Sequence, residues 1–374
     1  MKKLKLENLK LEKLPKKPFV SVCTPTFNRR PFIPIMIKCF ENQKYSKDRI
    51  EWIIIDDGDD KIEDLVSHIP QVKYFKYDEK MKLGKKRNLM HEKCKGDIII
   101  YMDDDDYYPP ERISHAVDML RNNPKKLCAG SSEMYIYFKH IHKMYQFGPY
   151  GPSHSTAGTF AFRKELLQIT SYENDACLAE ERHFLKEYTI PFVQLDPKKT
   201  ILVFSHVQNT FDKKTLLDHP NDMVKVSEKT VDDFVKESDV KKFFMEDIDT
   251  ILENYQPGHV KNKPDVIKQT QEIHQKRMDT AIKEQQKMNE YNQIVNKLQQ
   301  GSGQNEQKMN QMGAFIQELT MENNQLKQKV AYLEDKIRKI VMEQIEKKKT
   351  EKNEKNEKNE NNEKNENNEN NENK

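Results

Sequence analysis

Long apolar runs are missing from this sequence. No stretch approaches the roughly 18 consecutive apolar residues of a membrane-spanning helix. The start, residues 1–17, is a basic leader whose leucines are interrupted by lysines, without the continuous apolar centre of a signal peptide. Cysteine is scarce. The five thiols (Cys23, Cys39, Cys94, Cys128, Cys177) are odd in number and contain no CxxC pair, which excludes a disulfide framework and argues against a thiolate metal site. They read as reduced thiols of a cytoplasmic protein. The net charge is only +3, so no global field draws the chain to nucleic acid. Glu351 to Lys374 has no apolar residue, which excludes a packed core there. Its Glu-Lys-Asn and Glu-Asn-Asn repeats predict a disordered tail over residues 348–374.

The apolar residues that are present lie mostly in the first 250 or so positions, enough for a sizeable core. Four aspartates, Asp103 to Asp106, directly follow the apolar run Ile98 to Met102. A buried strand therefore delivers carboxylates to its C-terminal edge, where open α/β sheets bind ligands. Packed carboxylates repel one another and hold hard divalent cations through oxygen. If the strand stays extended, Asp103 and Asp105 share one face, while Asp104 and Asp106 share the other. A metal that bridges to a phosphate is the natural client; a solvated acidic turn is the competing reading.

Further strands are expected at Phe19 to Cys23, Trp52 to Ile55 and Val72 to Tyr77, with helices over Pro31 to Phe40, Ile62 to His68 and Gly84 to Lys93. This alternation predicts an α/β, Rossmann-like, mostly parallel sheet with helices on both faces. The polar loops Thr24 to Asn28, Asp56 to Gly58 and Asp103 to Asp106 would then share one rim. A more irregular region follows, with a hairpin of Met134 to Phe138 and Tyr145 to Phe147, a strand near Thr159 to Phe162, a helix over Ala179 to Tyr188 and a last strand at Ile201 to Phe204. The expected divisions are 18–215 for the globular domain, 216–262 for a helical extension and 263–347 for a long helix with a break near 301–303. After the break, Met309, Ile316, Asn323, Val330 and Ile337 form one heptad row, and Met312, Leu319, Leu326, Leu333 and Ile340 the other. Branched residues opposite leucine, with one Asn in the first row, favour a parallel coiled-coil homodimer through residues 309–345.

Four segments occur in order: Val20-Ser21-Val22-Cys23-Thr24-Pro25-Thr26-Phe27-Asn28-Arg29, Ile54-Ile55-Asp56-Asp57-Gly58, Gly84-Lys85-Lys86-Arg87-Asn88 and Asp103 to Asp106. Together they resemble the family 2 glycosyltransferases of GT-A fold, over roughly residues 18 to 210. The resemblance implies inverting transfer of a sugar from a nucleotide-sugar donor, UDP-linked in the leading reading, to an unknown glycan, protein or lipid acceptor, with Mn2+ or Mg2+. By the same match Thr24, Thr26, Asp56, Asp57, Arg87 and Asp103 bind the donor, and Asp103 and Asp105 correspond to the DxD motif that holds the metal. His206 corresponds to a further metal ligand. Glu180-Glu181 stands where the family keeps an acidic pair, so Glu181 is the expected general base, with Glu180 as fallback and Asp175 third. A Glu where the family usually has Asp is a departure. Thr156 and Gly158 correspond to the acceptor side. Two other readings compete: a nucleotidyltransferase of similar fold, and a non-catalytic coiled-coil scaffold with a degenerate GT-A domain.

Overall fold

The computed structural model describes residues 9, 11–178, 180–218 and 222–300. The break at 301–303, the heptad seam at 309–345, the tail at 348–374 and the first eight residues of the leader lie outside the described residues. Those described up to Arg277 form one compact unit, and a second begins at Met278.

The first unit opens with strict alternation: β1 (Val20–Thr26), α1 (Ile33–Glu41), β2 (Ile50–Asp56), α2 (Glu63–Val66), β3 (Val72–Lys76), α3 (Leu83–Lys93), β4 (Ile98–Tyr101) and α4 (Arg112–Asn122). Strands follow at β5 (Cys128–Gly130), β6 (Met134–Phe138), β7 (Lys143–Phe147) and β8 (Ala161–Arg163). After a short helical turn, α5 (Glu181–Phe184), come β9 (Phe192–Gln194), β10 (Val203–Ser205) and β11 (Val224–Val226). The main sheet has seven strands in the order β3-β2-β1-β4-β8-β5-β9, parallel except where β8 runs against β4 and β5. The chain winds outward from β1 to β3 and then returns to place β4 on the other side of β1. The crevice beyond the β1 and β4 tips is the topological switch point, where open sheets of this kind bind ligands. A second sheet, β10-β6-β7-β11, contains the expected hairpin as its β6–β7 pair.

Burial on both faces explains the near-continuous apolar strands. Val22, Trp52, Ile54, Ile98 and Ile100 join one core cluster with α1 and α4, while Ile53, Ile55, Ile99 and Tyr101 join the other with Met90 of α3. Trp52 stacks on Phe40 with centroids 4.2 Å apart.

Three local expectations change. Strand β1 runs to Thr26, so Thr24 and Thr26 are strand residues. The helix expected over 179–188 is cut to α5, because Lys186, Glu187 and Tyr188 all take positive φ. Beyond β11, the expected helical extension is divided into short pieces, α6 (Val231–Phe234), α7 (Ser238–Lys242) and α8 (Ile248–Glu253), with a π-helical turn Phe243–Asp247 between the last two. Their apolar residues Phe234, Phe244 and Ile248 are buried in the same core as Phe32 and Ile113. A helix α9 (Pro264–Gln300) follows.

Candidate active site

The four aspartates do not continue the strand. β4 ends at Tyr101, and Tyr108 turns back so that its hydroxyl accepts the Asp103 N–H at 2.8 Å. The expected alternation of faces is therefore lost, since it requires extended backbone. All four aspartates instead line one hollow of about 320 Å³ beyond the β1 and β4 tips, together with Thr26, Arg29, Lys86, Arg87, Thr156, Gly158 and Glu180.

Burial and mutual charge divide the acids. Asp105 accepts contact from Arg29 Nη2 and His206 Nε2, each at 3.3 Å. Burial alone would raise its carboxyl, but the Arg29 charge and the His206 contact hold it well below the usual range. Asp104 has Arg29 Nε at 3.6 Å, yet burial dominates and pushes its carboxyl up to about 7. Burial and the neighbouring Asp105 charge raise Asp106 well above its ordinary value. Asp103 Oδ1 and Asp106 Oδ1 have no hydrogen-bond partner among the described residues. His206 is buried with its ring tilted against Phe32, centroids 4.7 Å apart, and burial lowers its imidazole to about 4. Its Nδ1 accepts the Gln208 N–H at 3.3 Å, and its Nε2 meets Asn209 Nδ2 at 2.8 Å as well as Asp105.

On the adjoining wall, α3 begins at Leu83, and its second residue must be glycine. A Cβ at Gly84 would meet the Glu173 carbonyl oxygen at 1.9 Å. That close approach brings Arg87 to Glu180: Arg87 Nε donates to Glu180 Oε1 at 3.0 Å, and Nη2 lies 3.8 Å from Asp103 Oδ1. The guanidinium sits 4.4 Å over the Tyr101 ring, and Nη1 has no hydrogen-bond partner among the described residues. Lys86 is buried; it donates to the Thr26 carbonyl at 3.0 Å and pairs with Asp57. Lys85 is exposed.

Several expected site residues stand behind the hollow rather than on it. The Thr24 hydroxyl donates to the Met102 carbonyl at 2.6 Å and accepts from Trp52 Nε1 at 2.9 Å, so it is a core group. Asp56 accepts from Gly58 N, Ile62 N and the Tyr74 hydroxyl, which fixes the turn after β2. Asp57 accepts from Met81 N at 2.6 Å and from Lys86. None of the three lines the hollow, because each carboxylate or hydroxyl is already saturated by its own neighbourhood. His206 reaches the site only through Asp105. Of the acidic pair, Glu180 lines the hollow and the half-buried Glu181 does not. Glu181 nevertheless lies within electrostatic reach of Glu180 and Arg87, and burial with the Glu180 charge pushes its carboxyl up to about 7. Asp175 is exposed and pairs with Lys82 at 2.6 Å, outside the site.

Sequence reasoning gave no role to Arg29, although it closes the first motif, and none to Lys213 or Lys263, which also line the hollow. Arg29 had a usable signal, since a cation one loop away from four carboxylates needs a partner. Lys213 and Lys263 sit in lysine-rich segments that offer no such signal.

A doubly wound sheet with an acid-rich, arginine-braced crevice at its switch point is the arrangement in which open α/β domains bind ligands. Residues 21–184 match the model of glycosyl transferase family 2. A curated relative, an uncharacterized glycosyltransferase of Haemophilus influenzae, is 26% identical over 106 residues, covering 28% of this chain. The chain spans 35% of that relative's length. Among solved structures, S. aureus TarS in complex with UDP-GlcNAc aligns at 16% identity and TM-score 0.39, over 50% of this chain and 58% of that one. The mannosyltransferase PcManGT from Pyrobaculum calidifontis, in complex with GDP-Man and Mn2+, aligns at 14% identity and TM-score 0.42, over 64% and 74%. Among the described residues no helix is long and apolar enough to cross a membrane.

Proposed function

We propose that this protein transfers a sugar from a nucleotide-sugar donor, UDP-linked in the first instance, to an acceptor hydroxyl with inversion, assisted by Mn2+ or Mg2+. The observation that carries this reading is the meeting of Asp103, Asp105, Arg87 and Glu180 in one hollow at the switch point of a chain that matches glycosyl transferase family 2.

The residues suit a divalent cation. Two buried carboxylate oxygens, on Asp103 and Asp106, lack hydrogen-bond partners among the described residues, and burial, with the Asp105 charge added, raises the carboxyls of Asp104 and Asp106. Oxygen donors of this kind select hard cations. Asp103 and Asp105, with His206 beside the latter, would hold it. Among the described residues no three such groups already stand together as a metal cluster. When bound, the ion supplies positive charge to the departing diphosphate.

The remaining work falls to the chain's own residues. Arg87, with a free buried N–H, meets donor oxygens, and Thr26 borders the same wall. As the bond between the anomeric carbon and the diphosphate oxygen breaks, an acceptor oxygen attacks from the opposite face and its proton passes to a carboxylate. Glu180 is already engaged in an ion pair with Arg87. Glu181, with its carboxyl pushed up to about 7, is matched to that task near neutral pH. Thr156 and Gly158 border the acceptor side. A donor screen tests the reading: nucleotide sugars are incubated with Mn2+, and nucleoside diphosphate release is measured. Release from at least one donor is expected. Release from none, with no thermal shift by UDP or GDP plus metal, would leave the scaffold reading; pyrophosphate release from a nucleoside triphosphate would make the protein a nucleotidyltransferase.

Pairing of two copies through the heptads of residues 309–345 belongs to the same proposal and rests on the sequence pattern. Light scattering of a chain truncated before Met309 tests it, with a monomer expected. A cytoplasmic location is supported by the composition and by five unpaired thiols, all buried.

A further inference from the structure

Lys263 lies beyond the family 2 segment, immediately before α9, yet its side chain lines the hollow. The residue is 3% exposed. Its ammonium carries three N–H donors. Among the described residues its hydrogen-bond partner is the Thr210 hydroxyl at 3.1 Å, and no carboxylate joins it in an ion pair. A buried ammonium with one neutral partner is unfavourable in an empty protein.

The backbone around it is held in place from four directions. Asn28 Nδ2 donates to the Pro257 carbonyl at 3.2 Å, and Gln208 Nε2 to the Tyr255 carbonyl at 2.6 Å. Asp265 pairs with Lys80 from the loop before α3. Gln269 Oε1 accepts from Cys177 N at 2.6 Å and Leu178 N at 2.9 Å, just ahead of Glu180. Gly258 permits the approach, since a Cβ there would meet the Asn28 carbonyl oxygen at 2.7 Å. The segment thus docks on the loop after β1, the loop before α3 and the loop that carries Glu180. Its fixed position aims an incompletely paired cation into a hollow that also holds the free Nη1 of Arg87. Two buried cationic donors with open N–H groups in one cavity call for an anion.

We propose that Lys263 binds the diphosphate of the donor and of the departing nucleotide, so that the segment around residues 255–269 is a working wall of the site rather than a spacer before the long helix. This rests on the donor reading above. Burial, with the Arg29 charge second, lowers the Lys263 ammonium to about 6, in keeping with a cation that lacks its counter-ion.

The test uses the full chain and calorimetry with UDP and GDP, each with Mn2+, and with uridine and guanosine as phosphate-free controls. Loss of one charge-assisted contact predicts that Lys263→Gln weakens nucleoside diphosphate binding about 10- to 100-fold. Nucleoside binding stays unchanged, Lys263→Arg retains most of the affinity, and the Gln variant melts no lower than the parent because the buried amino group has, among the described residues, only one neutral partner to lose. If Lys263→Gln fails to fold, Lys263→Met, of similar length and without polar atoms, provides the same reading. A parent that binds UDP or GDP, with a Gln variant that binds it equally well, overturns the inference alone. A variant that loses nucleoside and nucleotide binding in equal measure also overturns it, since the role is then structural. A parent that binds neither nucleotide overturns the donor reading and this inference with it.

Discussion

Arg29 Nη2 stands 3.3 Å from Asp105 Oδ2 and so ties the loop after β1 to the tip of β4 across the switch point. Its Nη1 donates to the Gln208 carbonyl at 2.7 Å, which adds the loop after β10. One guanidinium therefore joins three loops and sets the charge of the central carboxylate.

Arg29→Ala should be costly. Both partners are buried, and breaking such a pair leaves a carboxylate without its counter-charge, a loss of about 3–5 kcal/mol. Urea denaturation measures it; a loss under about 1 kcal/mol would mean that the pair is screened as at a surface.

Asp105→Asn should remove metal-dependent binding of UDP or GDP while the fold persists, since asparagine keeps the shape and loses the charge. Calorimetry with and without Mn2+ checks this. An unchanged metal-dependent affinity would take Asp105 out of the ligand set.

Glu181 sets the pH response. Its carboxyl is pushed up to about 7 by burial and by Glu180, and a base works only when ionised. Turnover should climb as pH rises toward 7 and level off above it. Glu181→Gln should abolish that rise and lower kcat about 10²- to 10⁴-fold with donor affinity intact. Retained transfer in this variant, with loss in Glu180→Gln, would move the base by one residue.

Gly84→Ala reverses the usual helix preference. Alanine within a helix normally stabilises by up to about 1 kcal/mol over glycine. Here its Cβ would strike the Glu173 carbonyl oxygen at 1.9 Å, so a loss of about 1–3 kcal/mol is expected in urea denaturation. A gain would show that the 173–176 loop yields freely.

The parallel sheet was legible because Trp52 to Ile55 and Ile98 to Ile100 are apolar on both faces, a pattern that only a strand covered from both sides requires. The carboxylate cluster and Arg87 were legible for a related reason: strand tips in such sheets converge on one crevice. The roles of Thr24, Asp56 and Asp57 were not, because whether a polar side chain faces a ligand or caps its own turn depends on neighbours such as Tyr74, Met81 and Lys86.

By itself the sequence determined the alternation of the first strands and helices and the rim on which the acids gather, since these follow from local patterning and motif spacing. Only the tertiary structure decided which of the acids meet Arg29, that Glu180 is tied to Arg87 and that Lys263 enters the hollow. Those facts depend on contacts between segments 76 to 229 residues apart, whose closeness is created by packing and leaves no periodic trace along the chain.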